Sequence, residues 1–223
     1  MGVVSFSIPQ KLVNAFITNL KIPNFVETGT YKGNSAIWSA AYFDKVFTIE
    51  ISPELHKYAS ERPDAKPNIE FVLGSSETEL PGLVNKLNGP TLFWLDGHWC
   101  MNAGGEDDEC PLIAELTAIS KLQDSIILID DARCFLGPLP KPHRAEDWPR
   151  IDEIFSLIKE KFPNHTTTII DDVIVSVPSE AKEVLDNCWQ QTFNERFYDP
   201  AYTLKKYSIY QIAKSTLKNL LKK

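Results

Sequence analysis

Acidic side chains follow two apolar runs in the middle of the chain and, with a histidine, could carry out metal or acid–base chemistry. Asp96 and His98 follow Leu-Phe-Trp-Leu, and Asp130 and Asp131 follow Ile-Ile-Leu-Ile. If the two runs are neighbouring strands, about 4.8 Å apart, their carboxylates converge at one edge of a sheet. Three such carboxylates repel one another unless a cation lies between them, and their oxygens suit Mg²⁺ or Mn²⁺. We therefore predict a metal site at Asp96, Asp130 and Asp131, with His98 as general base.

Other roles for these side chains stay open. An acid or a serine that follows a strand could simply cap the next helix, and this interpretation suits Ser76 and Asp131 best. The acids would also be neutralised without a metal by an ion pair to one of three basic residues, Arg133, Lys141 or Arg144. His98 would serve equally well as a hydrogen-bonded residue that shapes its loop.

A glycine-bearing loop near the start of the chain indicates a nucleoside-type ligand. Residues 25–35 read Phe-Val-Glu-Thr-Gly-Thr-Tyr-Lys-Gly-Asn-Ser, a strand that gives way to a loop and then a helix. Gly29 and Gly33 would let the backbone pass closely beneath a ligand, because glycine readily adopts positive φ. The next strand carries Glu50 near its end, where an acid typically binds ribose hydroxyls. Tyr31 stands where the dinucleotide fingerprint often has glycine, and a glycine pair alone is often only a tight turn.

These residues are positioned by strands that alternate with helices. Apolar runs predict strands at 24–27, 46–51, 69–73, 92–95 and 126–129. Helices are predicted at 9–20, from the glycine loop through 43, from Ser52-Pro53 onward, near 77–88, at 111–122 and at 149–161. Two β-branched runs, 166–170 and 173–177, predict a terminal antiparallel hairpin. The pattern is typical of an α/β protein with a mostly parallel sheet and helices on both faces.

The length and charge of the chain limit its organisation and partners. Its 223 residues suit one domain, predicted at 1–203, followed by a basic amphipathic tail at 204–223. The net charge is −7, although the tail holds six lysines and no acid, so the remainder is strongly acidic and no nucleic-acid partner is expected. The tail could contact an anionic membrane or an acidic partner, or pack as a plain surface helix.

The composition also bears on location. No apolar run reaches the length of a membrane span, and the first residues lack the pattern of a signal peptide. The four cysteines form no Cys-x-x-Cys pair and are expected to be reduced thiols. We predict a cytoplasmic protein, with peripheral contact at the inner face of the membrane through the tail as an option. Whether the protein forms a homo-oligomer stays open.

The order of these motifs resembles the class I S-adenosylmethionine-dependent methyltransferases over residues 24–178. The resemblance implies a Rossmann-like, seven-stranded fold whose last two strands form a hairpin. Phe25-Val26-Glu27-Thr28-Gly29-Thr30-Tyr31-Lys32-Gly33 looks like the family's first motif, which passes under the methionine part of the cofactor. Glu50 matches the acid that binds the ribose, and Gly74-Ser75-Ser76 stands where the family contacts the adenine. The cofactor-binding residues expected from this resemblance are Glu27, Thr28, Gly29, Thr30, Tyr31, Gly33, Ser35, Glu50, Ile51, Gly74, Ser75, Ser76 and Asp96.

Within that superfamily, Leu95-Asp96-Gly97-His98 followed by Ile129-Asp130-Asp131 resembles the metal-dependent O-methyltransferases, particularly the macrocin O-methyltransferase type that acts on sugars. The resemblance implies methyl transfer from S-adenosylmethionine to a hydroxyl of a sugar, glycan or related small molecule, with Asp96 and His98 as catalytic residues and Mg²⁺ or Mn²⁺ as the ion. A different reaction on the same scaffold, or a cofactor-binding module without catalysis, are the alternatives.

Two long loops, 99–110 and 132–149, are predicted at the same edge as these motifs. Long loops in a compact domain often cover a substrate, so we expect them to act as lids, with Gly104-Gly105 as a hinge; the acidic run in the first loop could equally be a solvated loop. Trp99 or Trp148 could stack on a sugar ring, or could simply be packed in the protein.

Overall fold

A seven-stranded sheet forms the centre of the computed structural model, which describes residues 7–99, 109–197 and 214. In chain order the strands are β1 (Asn24–Thr28), β2 (Lys45–Glu50), β3 (Ile69–Leu73), β4 (Thr91–Leu95), β5 (Ile126–Ile129), β6 (His165–Ile170) and β7 (Val173–Pro178). Their spatial order is β3-β2-β1-β4-β5-β7-β6. The first five are parallel, whereas β7 runs antiparallel to both of its neighbours. The predicted α/β architecture with a C-terminal hairpin is confirmed.

Helices cover both faces of this sheet. They are α1 (Gln10–Asn19), α2 (Asn34–Ser39), α3 (Pro53–Ser60), α4 (Ser76–Val84), α5 (Leu112–Ile119), α6 (Ile151–Lys161) and α7 (Lys182–Phe197). Successive residues of a strand point to opposite faces, so each central strand contributes to two cores. In β4, Phe93 packs in the core beneath α4, α5 and α6, whereas Trp94 packs in the core beneath α1, α2 and α7. All five residues of β4 are buried, as expected for a parallel strand covered on both sides.

Several predicted helix ends are wrong because the last turn tightens. The helix predicted near 77–88 is α4, which ends at Val84; Lys86 N then donates to Leu83 O, three residues back rather than four. The helix predicted to run through 43 is α2, which ends at Ser39 with similar tight turns. Helices α5 and α6 are shorter than the predicted 111–122 and 149–161, and each hairpin strand is one residue longer than predicted. Helix α7 was not predicted.

Three predictions fall outside the described residues: the Gly104-Gly105 hinge, most of the 99–110 loop and, apart from Lys214, the basic tail at 204–223. Among the residues that the structure does describe, none of the helices combines the length and the apolar character needed to cross a membrane.

Candidate active site

The carboxyl ends of three central strands lie level at one edge of the sheet. Thr28 at the end of β1 pairs with Leu95 of β4, which in turn pairs with Ile129 of β5. The pairing extends one residue further, because Asp96 N donates to Thr28 O at 3.2 Å and Asp130 N donates to Leu95 O at 3.1 Å. The predicted metal ligands and the predicted base are thereby brought to the same edge.

The glycine loop after β1 passes directly against the end of β4. Gly29 has φ +79°, and a Cβ atom at this position would lie 2.1 Å from the carbonyl oxygen of Asp96. Only glycine therefore fits there. Tyr31 takes φ +49° and Gly33 takes φ +75°, so the tyrosine adopts the left-handed conformation that glycine would supply in the usual fingerprint. The Tyr31 side chain is half exposed.

Glu50 at the end of β2 is fixed by the same loop. Its Oε2 accepts from the backbone N–H of Tyr31 at 2.7 Å, and its Oε1 accepts from the N–H of Ser52 at 2.9 Å. The residue is buried, and this burial raises its pKa although the backbone hydrogen bonds act in the opposite direction. Each carboxylate oxygen has a further lone pair, so Glu50 can accept hydrogen bonds from the hydroxyls of a ribose.

Glu27 is a second buried acid, one strand away. The Thr48 hydroxyl donates to Glu27 Oε2 at 2.7 Å, and Thr30 Oγ1 lies 2.5 Å from Thr48 Oγ1. Burial raises the pKa of Glu27 to about 8, although hydrogen bonds from the Thr48 and Ser35 side chains lower it. A cationic group of a ligand at this edge would favour the ionised form. Thr48 was missed in the sequence, although a threonine inside the run Val-Phe-Thr-Ile was the available signal.

The remaining predicted cofactor residues lie along the ends of β2 and β3. Gly74 N donates to Glu50 O at 2.9 Å, which places the β3 end beside the β2 end. Ser75, rather than Ser76, caps α4, because its hydroxyl accepts from Glu77 N at 3.3 Å; the predicted cap at Ser76 is wrong. Ser76 is buried as the first residue of α4, and Ile51, just beyond β2, is 45% exposed. Together with the Gly29 turn and the Glu50 carboxylate, this edge fits a nucleoside cofactor.

His98 lies between two of the aspartates. Its Nε2 is 3.0 Å from Asp131 Oδ2, and its Nδ1 is 3.7 Å from Asp96 Oδ1. Asp131 has φ +54° and precedes a short 3₁₀ helix, Ala132–Phe135, but its side chain makes no capping hydrogen bond, so the capping interpretation of Asp131 is wrong. Asp131 Oδ1 instead pairs with Arg133 Nη1 at 2.7 Å, one of the ion pairs left open by the sequence.

The four titratable groups perturb one another strongly. Burial raises the pKa of Asp96 well above its ordinary value, and the charges of Asp130 and Asp131 raise it further while His98 opposes them. Burial and the charge of Asp131 raise the pKa of Asp130 to about 6. Burial would raise the pKa of Asp131, but the hydrogen bonds and charges of His98 and Arg133 hold it below its ordinary value. For His98, burial is outweighed by the neighbouring carboxylates, and its pKa is raised. Strongly perturbed pKa values are frequent at functional sites, which makes this cluster a candidate acid–base site.

The three aspartates supply the oxygen donors that a hard cation prefers, but their arrangement does not fit one. Both oxygens of Asp131 are taken by His98 and Arg133, and the imidazole lies between Asp131 and Asp96. Within 7–99 and 109–197, no group of three or more His, Cys, Asp or Glu side chains could hold a metal ion. The metal site therefore stays a prediction, and here the Arg133 guanidinium supplies positive charge beside Asp131.

Comparison with solved structures shows the same architecture elsewhere. No protein-family model and no curated protein matches the sequence. Human methyltransferase-like protein 13 in complex with SAH is similar with a TM-score of 0.53 and 12% identity, over 89% of this chain and 97% of that one. SAH-bound methyltransferase PaMTH1 of Podospora anserina is similar with a TM-score of 0.50 and 16% identity, over 78% of this chain and 90% of that one. SAM-bound CalS10, an amino pentose methyltransferase from Micromonospora echinaspora, has a TM-score of 0.50 and 10% identity, over 76% of this chain and 89% of that one.

The chain has the class I methyltransferase fold. At these identities the likeness establishes the architecture alone. In this methyltransferase fold the β6–β7 turn adds a group that the sequence did not predict, Asp172. Its Oδ1 accepts from Arg133 N at 3.0 Å, and its carboxylate also forms an ion pair with the Arg133 guanidinium. Asp172 thereby holds the arginine that pairs with Asp131.

Aromatic residues close the other side of His98. Trp148 is 7% exposed, and its ring packs edge-on against the His98 imidazole with centroids 5.4 Å apart. Phe135 packs against the same indole at 5.7 Å. Trp148 is therefore a packed residue, which is one of the two roles that the sequence left open for it. Trp99 is partly exposed and contacts His143 at 5.1 Å.

Proposed function

We propose that the protein transfers the methyl group of S-adenosylmethionine to a hydroxyl of a sugar, glycan or related small molecule. The observation that carries the proposal is the packing of Gly29 against the backbone of Asp96. It joins the loop suited to a nucleoside cofactor to the end of β4, which bears Asp96 and His98 and lies beside the end of β5 with Asp130 and Asp131. A methyl donor and a proton acceptor would therefore share one edge of the sheet, as a transfer between oriented reactants requires. The sugar acceptor rests on the resemblance to the macrocin O-methyltransferase type.

The cofactor half of the site would be formed by β1, β2 and β3. When bound, S-adenosylmethionine supplies an electrophilic methyl group on a sulfonium. Glu50 would accept hydrogen bonds from the ribose hydroxyls, because two backbone N–H groups hold its carboxylate in place. Glu27 would balance positive charge on the methionine part of the cofactor, and Gly29 would leave room above the loop. Ser75 lies just beyond the end of β3, where an adenine would bind according to the resemblance to the class I methyltransferases.

The acceptor half of the site would be formed by His98 and its partners. Because Nε2 faces Asp131 at 3.0 Å, it carries the proton of that hydrogen bond, and Nδ1 is left as the acceptor on the side of Asp96. Nδ1 would take the proton of the acceptor hydroxyl, whose oxygen would receive the methyl group that the sulfonium supplies, with the cofactor released as the neutral thioether. Asp131 and Asp96 would stabilise the imidazolium that forms.

Metal assistance is a separate part of the proposal. Asp96, Asp130 and Asp131 would hold Mg²⁺ or Mn²⁺ if His98 and Arg133 released Asp131. Titration of the metal-free protein with Mn²⁺, followed by electron paramagnetic resonance, tests this independently of turnover. Stoichiometric binding that is lost in Asp130→Asn would support the ion. Absence of binding up to millimolar Mn²⁺, with methyl transfer unchanged by a chelator, would overturn it.

The methyl transfer itself is tested with methyl-labelled S-adenosylmethionine and a panel of sugars, glycans and amines. Asp96→Ala should lower kcat at least about a hundredfold while leaving the Kd for S-adenosylhomocysteine within a few fold. The matched control is Asp124→Ala, which removes the same group from an exposed position just before β5 and should leave turnover near wild type.

Three outcomes would contradict the assignment. Cofactor binding without transfer to any acceptor would indicate a binding module, and transfer to amines alone would change the acceptor atom. Loss of cofactor binding in Asp96→Ala with metal dependence retained would reverse the roles of the two acid groups.

The expected surroundings of the enzyme are also proposals. A cytoplasmic location with peripheral membrane contact would use the basic tail at 204–223, and the acidic remainder of the chain argues against nucleic acid. Deletion of 204–223 should abolish binding to vesicles that contain phosphatidylserine; unchanged binding would end the membrane proposal. Sedimentation of the full chain decides whether it is a homo-oligomer.

A further inference from the structure

A buried carboxylate outside the strand ends joins the two long loops. Glu109 stands just before α5 and is 3% exposed. Its Oε2 accepts from the indole N–H of Trp148 at 2.8 Å and lies 3.2 Å from His143 Nδ1; its Oε1 accepts from the backbone N–H of Arg144 at 3.0 Å. Burial would raise the pKa of Glu109, but these hydrogen bonds hold it below the ordinary value, so the group is ionised at neutral pH.

The backbone of Glu109 also closes the first loop. Trp99 N donates to Glu109 O at 2.7 Å, which joins the residues on either side of 100–108. The Trp99 ring in turn packs edge-on against His143, with centroids 5.1 Å apart. One residue therefore connects the segment after β4 with the segment that precedes α6.

The indole held by Glu109 is the ring that contacts His98. Trp148 meets the imidazole edge-on at an interplanar angle of 62°. The other side of the imidazole is hydrogen-bonded to Asp131 at 3.0 Å. Rotation of either ring would change this arrangement, and the hydrogen bond to Glu109 is the polar contact that fixes the orientation of the indole. A continuous series of contacts therefore runs from Glu109 through Trp148 to His98.

We propose that Glu109 is a positioning residue that, through the Trp148 indole, holds the His98 imidazole in the orientation required to receive a proton. The proposal rests on the proposed function in so far as His98 is the base. Glu109 itself touches neither cofactor nor acceptor. Its carboxylate matters because one group faces three nitrogen atoms of the segment 143–148 at once, which a neutral side chain of the same size cannot satisfy. The side-chain amide of a glutamine at this position would point its own N–H group at one of these N–H donors, and that hydrogen bond would be lost.

The test compares Glu109→Gln with Glu146→Gln, which removes the same charge from an exposed position two residues before Trp148. Two spectroscopic signals report the arrangement without any turnover. One is the ¹⁹F resonance of Trp148 in protein labelled with 5-fluorotryptophan, assigned with Trp148→Phe. The other is the pair of imidazole ¹⁵N resonances of His98 at one fixed pH, assigned with His98→Gln. We expect Glu109→Gln to move both signals and Glu146→Gln to move neither.

Kinetics separate positioning from a general structural effect. In Glu109→Gln, kcat should fall roughly ten- to a hundredfold, while the acceptor KM and the Kd for S-adenosylhomocysteine stay within about twofold. Trp148→Phe keeps a ring and loses the N–H donor, so it should lower kcat as well. The effects of the two substitutions should be strongly non-additive in the double variant, because both remove the same hydrogen bond.

The outcomes distinguish this proposal from the proposed function. If the wild-type protein transfers no methyl group, the proposed function fails, and the Trp148 and His98 signals still decide whether Glu109 sets the rings. If those signals are unchanged in Glu109→Gln, or if kcat falls equally in Glu146→Gln, the positioning role is overturned. Should Glu109→Gln fail to fold, Trp148→Phe tests the same hydrogen bond from its donor, and wild-type kcat with unmoved His98 resonances would overturn the proposal.

Discussion

The buried Glu27 carboxyl should make the stability of the cofactor-free protein fall as pH rises. Glu27 is 2% exposed, and burial raises its pKa from 4.5 to about 8. Between these two pH values the folded state binds a proton that the unfolded state releases. The contribution of Glu27 to the stability of the folded protein is therefore fully present below pH 4.5 and is lost progressively as the pH rises through 8. Glu27→Gln keeps the shape and can still accept from Thr48, but it cannot ionise.

The magnitude follows from the two pKa values. Between pH 5 and pH 9, Glu27 should reduce the free energy of unfolding of the wild-type protein by about 4 kcal/mol. Glu27→Gln lacks this loss, so its stability relative to wild type should rise by the same amount over that range. The exposed Glu61→Gln, which removes a carboxylate at the end of α3, should show little change.

Urea unfolding of the three proteins at several pH values measures this difference directly. A difference between Glu27→Gln and wild type that stays constant from pH 5 to pH 9 would refute the reasoning, because Glu27 would then have an ordinary pKa in the folded state. A saturating cofactor analogue should flatten the wild-type profile if its positive charge lies beside Glu27.

Three further substitutions probe the cofactor side. Glu50→Ala should weaken binding of S-adenosylhomocysteine roughly ten- to a hundredfold in calorimetry, because charged hydrogen bonds to the ribose are lost; an unchanged Kd would contradict this role. Gly29→Ala should lower the free energy of unfolding by at least about 2 kcal/mol, since its Cβ would meet the Asp96 carbonyl; a wild-type urea midpoint would be inconsistent with the close approach. Thr48→Val should destabilise the protein by about 1 kcal/mol and Thr48→Ser much less, and equal effects would exclude the hydroxyl as the cause.

The positions of the strand-end acids could be predicted from sequence because they depend on local pattern. Asp96 follows the apolar run Leu-Phe-Trp-Leu, and Glu50 follows Val-Phe-Thr-Ile, which holds a single threonine; such runs predict buried parallel strands. Since parallel strands present their carboxyl ends at one edge, the acids had to meet there. The path of the glycine loop was also predictable, although Tyr31 shows that a tyrosine can take the left-handed conformation when its N–H is held by Glu50.

The partners of those acids could not be predicted in the same way. Asp131 is paired with His98, 33 positions away, and Arg133 is held by Asp172 from the far hairpin. Glu109 lies in an acidic segment that resembles a solvated loop, yet it is buried by contacts from the segment 34 to 39 residues later. Such contacts arise from the packing of the whole domain, and no local spacing encodes them.

A crystal structure of the protein with S-adenosylhomocysteine would test the central claim most directly. We expect the ribose hydroxyls within about 3 Å of the Glu50 carboxylate and the amino-acid part of the ligand above Gly29, with its sulfur directed towards His98. A ligand bound away from the carboxyl ends of β1 and β2, or without contact to Glu50, would contradict the proposed site.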